Sequence, residues 1–135
     1  MPLTTKSPDR FRVLLVEDEP AIRGLVAEML EGAGVDLRCA AGGAQALREA
    51  RRARPHLVLL DIVLPDLDGI AVLRLLRRQS SLREVPVYML TARVRNADRE
   101  AARRAGATGY IEKPFKAQEL HALLARHREP TPARR

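Results

Sequence analysis

Four apolar runs in this chain end on residues that can do chemistry. Phe11–Val16 runs into Glu17 and Asp18, residues 56–60 into Asp61, residues 86–90 into Thr91, and Tyr110-Ile111 into Glu112 and Lys113. Brought together, the three carboxylates Glu17, Asp18 and Asp61 would repel one another. At 4 Å and an effective dielectric near 20, one such pair costs roughly 4 kcal/mol. A cluster of that kind takes up protons or holds a cation. Oxygen donors with room for water suit Mg²⁺, and Mn²⁺ can substitute. Lys113 adds a second positive charge and Thr91 a hydroxyl donor. The set fits phosphoryl transfer to a carboxylate, with Asp61 as nucleophile and the metal, Lys113 and Thr91 neutralising the phosphoryl oxygens.

The elements that must position these residues are legible in the spacing. Residues 11–16 are a short branched apolar run, read as a buried strand. Pro20 suits a first helical position, and Ile22, Leu25, Val26, Met29 and Leu30 predict a helix to about Glu31, stopped by Gly32 and Gly34. Residues 35–41 read as a weaker strand. Gly42-Gly43 turns into a helix over 44–54, ended by Pro55. The unbroken run Leu57, Val58, Leu59, Leu60 predicts a strand buried on both faces, as in parallel sheets. Pro65, Asp66, Asp68 and Gly69 mark a loop before a helix carrying Ile70, Leu73 and Leu76. A strand over 86–90, a helix over 96–105 stopped by Gly106, a short strand at Tyr110-Ile111 and a last helix with Leu120, Leu123 and Leu124 complete the chain. Strand and helix alternate five times. The expected fold is α/β, a five-stranded parallel sheet with helices on both faces: a (βα)5 flavodoxin-like three-layer sandwich. Right-handed crossovers put all strand carboxyl ends on one edge, where such sheets bind ligands.

Length and composition agree with one domain. The chain has 135 residues, 46% hydrophobic and only 3% aromatic, so the core must be aliphatic. The expected organisation is a polar extension over 1–10, the domain over 11–127, and a disordered tail or linker start over 128–135. No apolar run approaches the roughly 18 residues of a membrane span, and the polar start lacks a signal peptide's apolar middle. A cytoplasmic protein without membrane contact is the expectation. Cys39 is read as a small buried apolar residue, and His56, His121 and His127 share no metal-ligand spacing. The net charge of +7 invites a nucleic-acid partner. Its distribution argues against one: Lys6, Arg10 and Arg12 against Asp9 leave +2 at the start, and Arg126, Arg128, Arg134 and Arg135 against Glu129 leave +3 at the end. The remaining arginines fall on separate helices and are read as solvated faces, with no recognition module and no direct nucleic-acid binding.

Residues 11 to 127 resemble the receiver domain of two-component response regulators, in particular the stand-alone chemotaxis receiver. The stretches that carry the likeness are Val13-Leu14-Leu15-Val16-Glu17-Asp18-Glu19, Leu59-Leu60-Asp61 through Pro65-Asp66-Leu67-Asp68-Gly69, Leu90-Thr91-Ala92, and Gly106-Ala107 through Tyr110-Ile111-Glu112-Lys113-Pro114-Phe115. The resemblance implies a cytoplasmic phosphoprotein of a two-component system, switched by an aspartyl phosphate in phosphorelay signal transduction. It implies Asp61 as phosphoacceptor, and Asp18, Asp61 and the backbone carbonyl of Val63 as magnesium ligands. Glu17 would reach the metal through water. Thr91 and Tyr110 would be the switch pair and Lys113 the catalytic lysine, joined to Pro114 by a cis peptide. The donor would be a sensor histidine kinase or phosphotransfer protein. Beyond its own phosphorylation and dephosphorylation the chain would catalyse nothing. Its output would go to an unknown protein or domain through the face of the fourth helix, fifth strand and fifth helix, which also offers a homodimer contact.

Glu17 stands where a shorter aspartate is common in the family, and Val63 can offer the metal only its backbone. Val63 and Arg93, two residues after Asp61 and Thr91, are expected to flank the path of hydrolytic water and to slow loss of the phosphoryl group. A dehalogenase-like phosphatase would need a second aspartate where Val63 stands.

Overall fold

The computed structural model describes residues 10–92 and 96–128. Five strands, β1 (Phe11–Val16), β2 (Val35–Ala40), β3 (Leu57–Asp61), β4 (Val87–Thr91) and β5 (Gly109–Glu112), form one parallel sheet in the order β2-β1-β3-β4-β5. Between and after them run α1 (Pro20–Met29), α2 (Gly43–Arg52), α3 (Gly69–Arg78), α4 (Asn96–Ala105) and α5 (Ala117–Arg128). The alternation read from the sequence is therefore the fold. One element was not foreseen: a single 3-10 turn, Ser80–Leu82, which buries Leu82 between α3 and β4.

Every residue of β3 and β4 is buried. The two-residue side-chain period splits these strands between two cores. Leu14, Val16, Val58, Leu60, Val87 and Met89 face α2, α3 and α4. Val13, Leu15, Leu57, Leu59, Leu90 and Ile111 face α1 and α5. Cys39 is half-buried on the edge strand β2 and packs beside the second core, so it is less enclosed than the sequence suggested.

The helices are bounded by local chemistry. Pro20 opens α1, and Asp68 caps α3 by accepting from the Ile70 amide at 3.2 Å. Gly106 closes α4 with φ +102°, a conformation that favours glycine. Arginines gather in last turns, Arg51 and Arg52 in α2, Arg77 and Arg78 in α3, Arg103 and Arg104 in α4, where they meet the negative end of the helix dipole. The reading of the arginines as simply solvated thus needs correcting at Arg77. It is half-buried and donates to the carbonyls of Gly106 (3.0 and 2.8 Å), Leu82 (3.0 Å) and Val85 (2.7 Å).

The margins of the domain are engaged as well. Arg10 donates to the Val35 carbonyl at 2.7 Å, and Arg128 to the Ala33 carbonyl. The expected extension before residue 10 and tail after 128 lie outside the described residues. Among the described residues no helix is long and apolar enough to cross a membrane.

Candidate functional site

The chain leaves β1 toward β2, then returns to lay β3 on the other side of β1, so a crevice opens between the carboxyl ends of β1 and β3. Glu17 and Asp18 leave β1 there and Asp61 ends β3. One carboxylate oxygen from each of the three lies within 4.8 Å of the others. Glu17 and Asp61 are buried and Asp18 is exposed. Lys113, just after β5, reaches across two strands. Its Nζ donates to Glu17 Oε1 at 2.9 Å and to Asp61 Oδ2 at 3.0 Å. Its own amide bonds the Thr91 carbonyl at 2.7 Å, which extends the β4–β5 ladder and fixes the root of the side chain.

Backbone groups orient the acids. The Val63 amide donates to Asp61 Oδ1 at 3.0 Å, so each oxygen of Asp61 holds one bond and the carboxylate cannot swing. The Glu19 amide donates to Glu17 Oε2 at 3.2 Å. From α1, the Arg23 guanidinium bonds the Glu17 carbonyl at 2.8 Å, steadying the turn that carries Asp18. Gly69 is required by close approach: a Cβ there would lie 2.2 Å from the Asp61 carbonyl oxygen.

Burial pushes the Glu17 carboxyl above its ordinary value. The hydrogen bond from Lys113 pulls it back, and the charge of Asp61 pushes it up again. Burial acts to lower Lys113, but its bonds to Glu17 and Asp61 outweigh it, and the ammonium is held above its usual value. The lysine thus bonds two of the three clustered carboxylates, Glu17 and Asp61. The all-oxygen donor set and the deficit of positive charge fit a hard divalent ion, which Asp18 and Asp61 would hold directly.

The cleft over this cluster has a volume of about 390 Å³ and is lined by Asp18, Asp61, Val63, Thr91, Ala92 and Lys113 among others. A larger hollow of about 610 Å³, beside Ala33, His121 and Arg128, gathers no carboxylate cluster. Charge, rather than volume, marks the site. Thr91 is buried at the end of β4, one residue beyond the partner of Asp61 in the ladder. Val63 is 74% exposed at the cleft mouth.

Tyr110 is not among the cleft-lining groups. It pairs with Met89 in the sheet, packs on the α4 side, donates its hydroxyl to the Arg99 carbonyl, and lies under the Arg99 guanidinium at 5.3 Å. The Lys113–Pro114 peptide is cis. Arg93 lies outside the described residues. His56 accepts the Arg12 amide at 2.8 Å through Nδ1, and the Tyr88 hydroxyl and Nε2 of His127 lie 2.7 Å apart.

Sequence reading passed over Arg23 and gave Asp66 only as a loop marker, although Asp66 bonds the start of α2. The signal for Asp66 was negative: Gly42-Gly43 gives α2 no capping side chain, so a cap had to come from elsewhere.

The profile of the response regulator receiver domain matches residues 13–125. The chain belongs to that family. It is therefore a receiver domain of two-component signalling, with the fold of its relatives. It is 41% identical over 127 residues to the DNA-binding response regulator MtrA of Mycolicibacterium smegmatis, covering 92% of this chain and 54% of that protein. It spans about half the length of the response regulators it matches in this way. Among solved structures, the chemotaxis protein CheY4 of Vibrio cholerae superposes with a TM-score of 0.83 at 32% identity, over 87% of this chain and 98% of that one. The receiver domain of the sensor histidine kinase PA1611 from Pseudomonas aeruginosa gives 0.81 at 40% identity, over 87% and 97%, and carries a magnesium ion in its active site cleft.

Proposed function

We propose that this receiver domain takes a phosphoryl group on Asp61, in the presence of Mg²⁺, from a phosphohistidine on a sensor histidine kinase or phosphotransfer protein. The observation that carries the reading is Lys113 Nζ bridging Glu17 and Asp61 beside Asp18, one ammonium against three clustered carboxylates. Asp18, Asp61 and the Val63 carbonyl would hold the metal, with Glu17 acting through water and Mn²⁺ able to substitute. When bound, the ion supplies positive charge to the phosphoryl oxygens. Asp61, held at both oxygens, presents a fixed nucleophile. Its oxygen bonds to phosphorus as the P–N bond of the donor breaks, and the electron pair returns to the imidazole nitrogen, which takes up a proton. Lys113 neutralises charge on the phosphoryl oxygens, and the Thr91 hydroxyl donates to one of them.

Thr91 and Tyr110 form the switch in this reading. Drawing Thr91 toward the phosphoryl group opens space beside β4 for Tyr110, which must give up its bond to the Arg99 carbonyl and so loosen α4. The face of α4, β5 and α5 changes partners as a result. A protein donor is favoured by an apolar groove of about 320 Å³ next to the cleft, lined by Ile22, Leu25, Ala92, Pro114 and Phe115. Leu25 is one of two large hydrophobic residues exposed among the described residues, and Val63 at the cleft mouth is the other. Homodimerisation through α4, β5 and α5, control of a DNA-binding output like that of MtrA, self-catalysed loss of the phosphoryl group and a cytoplasmic location complete the proposal. The phosphatase alternative loses its general acid, because Val63 occupies that offset.

The test is the intact mass after incubation with Mg²⁺ and acetyl phosphate. The expected gain is one phosphoryl group, abolished by EDTA and by Asp61→Asn. No gain in the folded wild type would refute the assignment of Asp61.

A further inference from the structure

The first turn of α2 has no cap of its own. Gly42 holds the N-cap position in extended backbone, φ −158° and ψ 175°, without a side chain to offer. The Gly43 and Ala44 amides are bonded instead by Asp66, at 2.8 Å to Oδ1 and 3.1 Å to Oδ2. Asp66 stands five residues beyond Asp61, in the loop of residues 62–68 that also carries Val63. The loop is also tied to itself and to the acceptor, through Gly69 N to the Ile62 carbonyl at 2.8 Å, the Val63–Asp68 bridge and the Val63 amide on Asp61, and at its two ends to β4, through Ile62 N to the Leu90 carbonyl at 3.1 Å, and to α3, through the Asp68 cap. Asp66, in the middle of the loop, is its polar tie to α2. That element is firmly seated, since Gly43, Ala46 and Ala50 of α2 are buried.

A local cap would serve α2 equally well. Serine, aspartate or asparagine at position 42 is favoured at N-caps, and extended backbone admits any of them. A Cβ at position 42, however, would lie 2.9 Å from Asp66 Oδ1 and 3.2 Å from its Cγ. A side chain at position 42 would therefore push the Asp66 carboxylate from its present place, and this chain keeps glycine there and has the tie.

We propose that Asp66 is a positioning residue for phosphoryl transfer: by capping α2 from the acceptor loop, it registers that loop, and the Val63 backbone with it, against the body of the domain. The proposal rests on the reading of Asp61 as phosphoacceptor in a magnesium site. The metal and the phosphoryl group need the Val63 backbone and Asp61 in fixed relation, and the two charge-assisted bonds to a seated helix supply it. The bonds from Gly43 and then Ala44 also keep the Asp66 carboxyl below the usual carboxylate range, so the tie is ionised at neutral pH. The acceptor loop and the start of α2 consequently move as one unit.

The experiment compares wild type, Asp66→Ala, and Gly42→Ser combined with Asp66→Ala, in which the vacated space admits a local cap. Urea midpoints report stability, calorimetric titration with Mg²⁺ reports the site, and intact mass with acetyl phosphate reports transfer. Asp66→Ala should lower both stability and Mg²⁺ affinity, the latter about tenfold. Adding Gly42→Ser should restore the midpoint and leave Mg²⁺ affinity low. Affinity within twofold of wild type in Asp66→Ala, or recovery of affinity together with stability in the double variant, would make Asp66 a helix cap only and overturn the proposal. Should Asp66→Ala fail to fold, the double variant and Asp66→Asn, which keeps one acceptor oxygen, carry the same comparison. A wild type that neither binds Mg²⁺ nor gains a phosphoryl group would bring down the reading of the site, and the proposal with it.

Discussion

Arg77 and Lys113 are both partly buried cations at opposite edges of one sheet. Arg77 sits at the amino edge, where its guanidinium meets backbone carbonyls at the end of α4 and around the 3-10 turn, all of them neutral groups. Burial lowers its pKa, with no carboxylate bond to offset that. Lys113 sits at the carboxyl edge, where its two bonds end on carboxylates and its pKa is raised in spite of burial. At the amino edge a delocalised cation satisfies several backbone carbonyls in a fixed fork. The carboxyl edge gathers three carboxylates around one lysine, and a divalent metal ion would answer that deficit of positive charge. A cation bound to dipoles makes a joint, whereas a cation outnumbered by carboxylates makes a site.

Four measurements break or sharpen this comparison. Lys113→Met should slow phosphoryl gain about 100-fold or more, equivalent to roughly 3 kcal/mol of transition-state stabilisation, as for loss of a charge-stabilising donor. A rate within threefold of wild type by intact mass would deny Lys113 its role. Arg77→Ala should destabilise the fold by about 2 kcal/mol through orphaned carbonyls, read from urea midpoints, with Mg²⁺ affinity of the folded protein unchanged. Arg77→Lys should recover only part, because an ammonium lacks the fork. A smaller effect comes from Mg²⁺ itself, which at ten times its Kd should raise wild-type stability by about 1.4 kcal/mol. Arg77→Ala should keep that increment and Asp18→Asn should lose most of it; an equal increment in both would separate the acidic cluster from metal binding.

The smallest effect expected is at the amino edge. His127, beside Tyr88, is held below its ordinary pKa by burial and then by Arg126. Its neutral form is the favoured one, so its contribution is present above about pH 6.5 and is lost as pH falls from there through the folded pKa. His127→Gln should therefore cost stability at pH 8 and less at pH 5. A pH-independent difference would show that the pair with Tyr88 carries no proton linkage.

Those tests also separate what was legible in the sequence from what was not. The apolar runs ending in Glu17, Asp61 and Thr91 announced strands and a shared edge, because a buried parallel strand has a composition of its own. Ser80–Leu82 was missed because three residues carry no period. Arg77 was taken for a solvated arginine, since a bond to Gly106, 29 residues on, leaves no trace in local spacing. Asp66 was legible as a turn former and not as a cap, for the same reason. Tyr110 was named from family likeness, and what the structure adds is its bond to Arg99 on α4.

The chain order of the site has a consequence for synthesis. All three clustered acids lie between residues 17 and 61, and the lysine that bonds Glu17 and Asp61 stands at 113. A nascent chain that has paired β1, β2 and β3 already holds the acids close together, and receives Lys113 only when β5 is laid beside β4. Cutting the chain between α3 and β4 would divide acids from lysine, so that two complementary fragments accept phosphoryl groups only once reunited. On the proposed reading, phosphorylation would thus also report whether the last strand has found its place.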